Sequence, residues 1–206
     1  MLTPTVVLSP HPDDETLGCG GLIASLRESG VPVTVVAATD GERAYADARG
    51  LAEVRRGEQA EALQRLGGRP ADLLHLRLPD TAVAEHEGEL VALLLPLVSR
   101  DTHIVAPWTG DFHPDHEACG RAALRVAQMT GAALTWYFFW TWHRGTPATL
   151  HGQPLVRLEL TPAQLRAKCE ALRCHRSQLE REDEEPILPE RLLGPARWPF
   201  EVYLPS

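Results

Sequence analysis

Residues 9–21, SPHPDDETLGCGG, set one histidine, two aspartates and a glutamate almost side by side, with glycines close behind. His11 and Asp14 are three positions apart, so one turn can aim both side chains at a common point while Pro12 stiffens the chain. An imidazole and a carboxylate placed in this way are natural ligands for zinc or a similar divalent cation, whose charge offsets the crowded carboxylates. Helix capping is the competing reading: Asp13 or Asp14 caps the helix that follows, with Glu15 favourable near its positive end. A second cluster, HPDH at 113–116, repeats the His-Pro-Asp opening and brackets Asp115 with His113 and His116. Three protein ligands and an open position would make a catalytic zinc site. Asp13, beside such a metal, can take a proton from activated water.

Hydrophobic patterning shows how two clusters so far apart in sequence can meet. TVVLS (5–9), VPVTVVAAT (31–39), DLLHLRL (72–78), HIVAP (103–107) and ALTWYFFWTW (133–142) read as strands. Residues 14–30, 51–68, 87–100, 115–130 and 161–182 read as helices, the first ending on Gly30 and the last starting at a Thr-Pro cap. EREDEEPILPE (180–190) reads as an exposed loop. Alternation of strand and helix predicts one Rossmann-like α/β domain over residues 1–206, with a largely parallel sheet flanked by helices. In such sheets ligands collect at the carboxyl ends of the strands, and each cluster directly follows a predicted strand. The two can therefore share one crevice.

Composition narrows the function. A net charge of −8 argues against a nucleic-acid binder that works by phosphate neutralisation. The opening MLTPTVVLSP has no positively charged n-region, and no apolar run approaches the ~18 residues of a membrane span, so a cytoplasmic protein without membrane attachment is expected. Cys19, Cys119, Cys169 and Cys174 form no CxxC pair and read as small core residues. His75, His86, His103, His143 and His151 read as surface or hydrogen-bonded core histidines.

The paired motifs PHPDDE (10–15) and HPDH (113–116) resemble the LmbE/PIG-L family of metal-dependent de-N-acetylases, which remove acyl groups from N-acetylglucosamine-containing compounds and related amides. TDGE (39–42), VRRGEQAEALQRLG (54–67) and CHRSQ (174–178) extend the resemblance over most of the chain. It implies one zinc, or another divalent metal, per chain, held by His11, Asp14 and His116. It implies Asp13 as general base, with His113 stabilising the oxyanion or protonating the leaving amine. Asp115 would orient a neighbouring imidazole. Arg55 resembles an arginine that contacts the polar substrate; its alternative is a surface ion pair with Glu58 at i,i+3. The implied partner is a small N-acylated molecule such as a glycoside, and self-association is compatible with the pattern.

One position departs from the family. Some members carry a tyrosine two residues before the HPDH histidine, where this chain has Asp111. An ionised aspartate cannot donate a hydrogen bond, and a carboxylate there is expected to raise the pKa of His113. Two other readings stay open: a metal-dependent phosphoesterase, which needs bridging carboxylates and two metals, and a non-catalytic metal- or sugar-binding module. WYFFWTW (136–142) lends the latter some support, although such a run also suits a buried or subunit-facing strand.

Overall fold

The computed structural model describes residues 3–46, 49–181 and 184–206. Strand β1 (Thr5–Ser9) is the third strand in a seven-stranded sheet. All five of its residues are buried, as the unbroken TVVLS run requires for a strand covered on both faces. It pairs in parallel with β2 (Val33–Thr39) on one side and β4 (His103–Pro107) on the other. With β3 (Leu73–Leu78), β5 (Ala133–Tyr137), β6 (Val156–Glu159) and β7 (Phe200–Pro205), the strand order is β3-β2-β1-β4-β5-β7-β6. The first five strands are parallel, whereas β7 runs antiparallel to β5 and β6 antiparallel to β7. Among the described residues, no helix is long and apolar enough to cross a membrane.

Side-chain alternation along β1 divides the core in two. Val7 packs with Ile23 and Ala24 of α1 (Asp14–Glu28) and with Ala62 and Leu63 of α2 (Leu51–Arg65). Val6 and Leu8 face Leu90 and Leu94 of α3 (Glu87–Leu94) and Ala118 and Ala122 of α4 (Pro114–Thr130). The chain leaves β1 towards β2 but returns to its other side in β4. Their carboxyl ends therefore flank the crevice that such a reversal opens. Gly120 lets α4 approach that crevice, because a Cβ there would lie 2.6 Å from the Pro107 carbonyl oxygen.

Several elements differ from their sequence-based bounds. The first helix ends as expected in a Schellman turn: Gly30 (φ 73°) donates to Arg27 O at 3.0 Å and Val31 to Leu26 O at 2.9 Å. The predicted 87–100 helix stops at Leu94 and continues as a 3-10 turn, Leu95–Leu97. Pro96 has no N–H to continue the helix. The fifth strand ends at Tyr137 instead of residue 142, and the aromatic run turns into a short helix, α5 (Trp140–Arg144). Its first backbone N–H groups bond to the Asp111 carboxylate. The predicted 161–182 helix divides into α6 (Pro162–Leu172) and α7 (Arg176–Leu179) around the fully buried His175. Its last residue, like position 183 of the expected surface loop, lies outside the described residues.

Strands β6 and β7 were not expected from the sequence; in β7, Glu201 interrupts the apolar pattern. In the fold Glu201 is buried at a kink of α1 centred on Cys19 (φ −145°). Its carboxylate accepts from Gly21 N and Leu22 N, each at 2.8 Å, and from Lys168 Nζ at 2.6 Å. That network ties α1, α6 and β7 together.

Gly120→Ala should destabilise the protein by about 1–3 kcal/mol, since the added methyl meets fixed backbone rather than a movable side chain. Urea denaturation measures this directly. A loss within experimental error would mean that α4 can shift without cost.

Candidate metal centre and active site

The chain turns directly from β1 into α1, with Asp13 N and Asp14 N donating to His11 O at 2.9 and 3.3 Å. This turn places Asp14 Oδ2 3.1 Å from His11 Nδ1, and the same oxygen accepts from His11 N at 3.0 Å. From the first turn of α4, His116 Nε2 reaches within 3.2 Å of Asp14 Oδ2. One ligand atom each from His11, Asp14 and His116 lies within 4.8 Å of the others. His116 Nε2 is buried yet makes no hydrogen bond. An orphaned imidazole nitrogen beside a carboxylate oxygen and a second imidazole fits a small divalent cation in both chemistry and spacing.

His11, His113 and Asp115 also meet that spacing. Their atoms are, however, already engaged. Asp115 accepts from Thr81 N at 2.9 Å and Val83 N at 3.1 Å, and His113 Nδ1 accepts from Asp115 N at 3.3 Å. The first grouping is therefore the better cation site.

Carboxylates stand behind both imidazoles of that grouping. His11 Nε2 lies 3.2 Å from Asp115 Oδ2 and 3.3 Å from Asp80 Oδ1. His116 Nδ1 lies 2.8 Å from Asp111 Oδ2. In the neutral form needed for ligation, a proton held on each outer nitrogen would leave the inner lone pair facing Asp14. Burial opposes charging of either ring, but the surrounding carboxylates outweigh it. His11 is held well above the usual imidazole range, and His116 is raised to about 9, chiefly by Asp14 and then Asp111. Burial likewise resists ionisation of Asp80, yet His11 and the Arg43 N–H bring it down to about 2.

Asp13 has a different environment. It occupies the position before α1 but makes no side-chain capping bond, so the capping reading fails for it. Its Oδ2 accepts from Arg55 Nη2 at 3.0 Å. Burial pushes its carboxyl up to about 7; the Asp14 charge adds to this shift and the Arg55 guanidinium opposes it. Arg55 is itself buried, donating to Pro12 O at 3.2 Å and Gly41 O at 3.0 Å. Gly41, at φ 63°, leaves room for the guanidinium, which would stand 2.3 Å from a Cβ. The alternative reading, a surface pair with Glu58, fails, because Glu58 instead accepts from Ser177 N and Oγ. Glu15 points away from the centre and accepts from Gln59 Nε2 at 2.9 Å, joining α1 to α2.

His113 corrects another expectation. Its pKa is lowered to about 4, first by burial and then by the neighbouring His116 and His11. Asp111 turns away from it towards His116 and the start of α5. A backbone N–H on Nδ1 leaves Nε2 to carry the ring proton of a neutral His113. The ring stacks near Trp140, with centroids 5.9 Å apart and planes 16° apart.

These groups open into a cavity of about 150 Å³ lined by His11, Asp13, Asp14, Arg55 and His113 on its polar side. Phe139, Trp140, Ile187 and Leu188 supply apolar wall. Sequence reasoning missed Asp80 and Trp140 as site residues. Asp80 follows β3 in a short Pro-Asp turn, the signal that could have revealed it. Trp140 lay hidden in a run that resembled strand.

A family model described as PIG-L, GlcNAc-PI de-N-acetylase, matches residues 6–127. The chain is 34% identical over 132 residues to a probable N-acetyl-alpha-D-glucosaminyl L-malate deacetylase 2 of Bacillus subtilis, a match covering 59% of each chain. It is 32% identical over 188 residues to a 1D-myo-inositol 2-acetamido-2-deoxy-alpha-D-glucopyranoside deacetylase of Nocardia farcinica, covering 74% of this chain and 61% of that one. These matches thus span about three fifths of the relatives' lengths. Among solved structures, the N,N'-diacetylchitobiose deacetylase of Pyrococcus horikoshii superposes with a TM-score of 0.69 at 25% identity, over 86% of this chain and 71% of that one.

Replacing Arg55 by methionine removes the cation that favours ionised Asp13. The Asp13 carboxyl should then titrate above its value of about 7 in the protein freed of metal by chelation. Carbon-13 NMR of labelled aspartate reads the change. A downward move would show that Arg55 does not govern this group.

Proposed function

The chain belongs to the PIG-L family, and on that premise we propose that it is a zinc-dependent hydrolase removing an acetyl group from an N-acetylated amino sugar or related small amide. The observation that carries this reading is a convergence on one cavity. Asp13, with a carboxyl at about 7, and the neutral His113 both border the cavity next to the cluster of His11, Asp14 and His116. The names of the relatives, which describe deacetylases of N-acetylated sugars, support the substrate class.

A divalent cation held by His11, Asp14 and His116 would supply Lewis-acid polarisation of the amide carbonyl and of the attacking water. Asp13 takes the proton from that water, and burial, which resists its ionisation, strengthens it as a base. Arg55 holds the accepting carboxylate in place. His113 donates its Nε2–H to the carbonyl oxygen as negative charge develops there. Protonated Asp13 then passes its proton to the departing amine nitrogen as the C–N bond breaks, so that water and amide become acetic acid and free amine, which at neutral pH are acetate and the protonated amine. Asp115 and Asp80 orient His11, and Asp111 does the same for His116.

The phosphoesterase reading calls for carboxylates free to bridge a second cation. Asp115 and Asp80 are instead committed to backbone N–H groups and to His11. A silent binding module would gain nothing from a buried carboxyl held near 7 beside its metal ligands.

The test is to incubate the zinc-loaded protein with a panel of N-acetylated amino sugars and to quantify free amine and acetate. Release from at least one is expected; release from none would overturn the assignment to amino sugars. In matched zinc-loaded samples, Asp13→Asn should keep its metal and lose at least ~100-fold in kcat, the scale of a general base. Turnover equal to the parent would remove Asp13 from that role.

A further inference from the structure

Asp111 is fully buried and is shared between two parts of the molecule. Its Oδ2 lies 2.8 Å from His116 Nδ1. Its Oδ1 accepts from Thr141 N at 2.9 Å and from Thr141 Oγ1 at 2.6 Å, while Phe139 N and Trp140 N also donate to the carboxylate at 3.2 Å. Oδ2 therefore serves both the metal-ligand cluster and Trp140 N, while Oδ1 holds Thr141 in the first turn of α5. Successive N–H groups at a helix start lack partners within the helix, and a carboxylate satisfies them while complementing the helix dipole. Trp140, between two of these anchored positions, borders the cavity and packs on His113.

We propose that Asp111 is a positioning residue that couples the metal ligand His116 to α5, so that one carboxylate sets both metal affinity and the place of Trp140 on the cavity wall. The inference rests on the reading of His116 as a ligand and extends it to a residue that touches neither metal nor substrate. Its physical basis is the demand for acceptors on both sides. With a proton held on Nδ1 by Asp111, the His116 lone pair sits on Nε2 and faces Asp14. Asparagine offers one acceptor oxygen and one NH2 group. If the NH2 faces His116, it donates to Nδ1, and the ring proton moves to Nε2 and blocks the ligand. If it faces Thr141, it meets two donors with a third. Neither orientation serves both partners.

The experiment compares the parent, Asp111→Asn and Thr141→Val proteins, each stripped of metal and checked for folding by circular dichroism. Zinc affinity is measured by competition with a chromophoric chelator, with tryptophan emission recorded during the titration. A Trp140→Phe version of the parent identifies the Trp140 contribution. Asp111→Asn should bind zinc about 10–100-fold more weakly, the range for loss of an outer-shell partner. Thr141→Val, which deletes the Oγ1 donor but leaves the metal ligands untouched, should weaken zinc binding by a smaller, severalfold factor. Zinc should alter Trp140 emission in the parent and not in Asp111→Asn. Parental affinity in folded Asp111→Asn would overturn the proposal, as would parental affinity and emission in Thr141→Val should Asp111→Asn fail to fold. A parent that binds no zinc would instead strike at His116 as a ligand, and the coupling would fall with it.

Discussion

Five carboxylates, those of Asp13, Asp14, Asp80, Asp111 and Asp115, are buried around one crevice, and providing each with a partner organises much of this fold. An unpaired ionised carboxylate in an interior is too costly to persist. The partners come from separate elements. Asp13 has Arg55 from α2, while Asp115 draws on backbone N–H groups of the segment after β3. Asp111 takes the start of α5, Asp80 the Arg43 N–H after β2, and Asp14 the two histidines. The loops after β1, β2, β3 and β4 are thus cross-linked by the same charges that make the site.

Charge balance at the centre of that network suits it to a divalent cation. The carboxylates hold His11 and His116 on the protonated side of their ordinary range. Two imidazolium rings carry the same charge as one divalent cation. Binding such an ion would exchange protons for metal at little net electrostatic change, because ligating nitrogens must be neutral. The exchange would also give the site a pH sense, acid favouring protons over metal. His113 stands outside this balance. Its neighbours His11 and His116 disfavour its charge, so it stays a neutral donor while they carry positive charge.

Local chemistry and the meeting of the two histidine–aspartate motifs were legible in the sequence, whereas the partners of Arg55, Asp111 and Glu201 were not. The placement of His11 and Asp14 on one turn follows from three-residue spacing behind a buried strand, and the parallel core follows from strand–helix alternation. The fate of Arg55 could not be read in this way. Its i,i+3 neighbour Glu58 was the obvious partner by spacing, yet the glycine at 41 and the turn at 12 draw it inward to Asp13. The same holds for Asp111. Nothing near it in sequence announces that it will end a strand at Tyr137 and start a helix at Trp140, some 30 positions on. Strand β7 escaped notice because Glu201, read by composition, belongs at a surface. Its actual surroundings, Lys168 and the kink in α1, are assembled only by the fold.

Among the described residues, two of the three non-glycine positions with positive φ lie beside the buried charges, the third being Arg77 in β3. Thr81 and Phe112 both adopt left-handed conformations, at φ 64° and 58°, which a β-branched or bulky residue takes only under constraint. Each directly follows an inward-turned carboxylate, Asp80 or Asp111. The reversed backbone at Thr81 presents its N–H to Asp115, which in turn lies against His11. At Phe112 the chain passes from Asp111, which holds His116, to His113, which borders the cavity. Packing and hydrogen bonds from several elements thus hold two unfavourable conformations so that alternate side chains of a short loop face one centre. The outer wall is built otherwise, from α5 and the segment around Ile187 and Leu188, elements that come later in the chain and carry none of the buried carboxylates. The buried charges are fixed at the strand ends, where any displacement would leave one unpaired. The apolar wall shares that constraint where α5 rests on the Asp111 carboxylate.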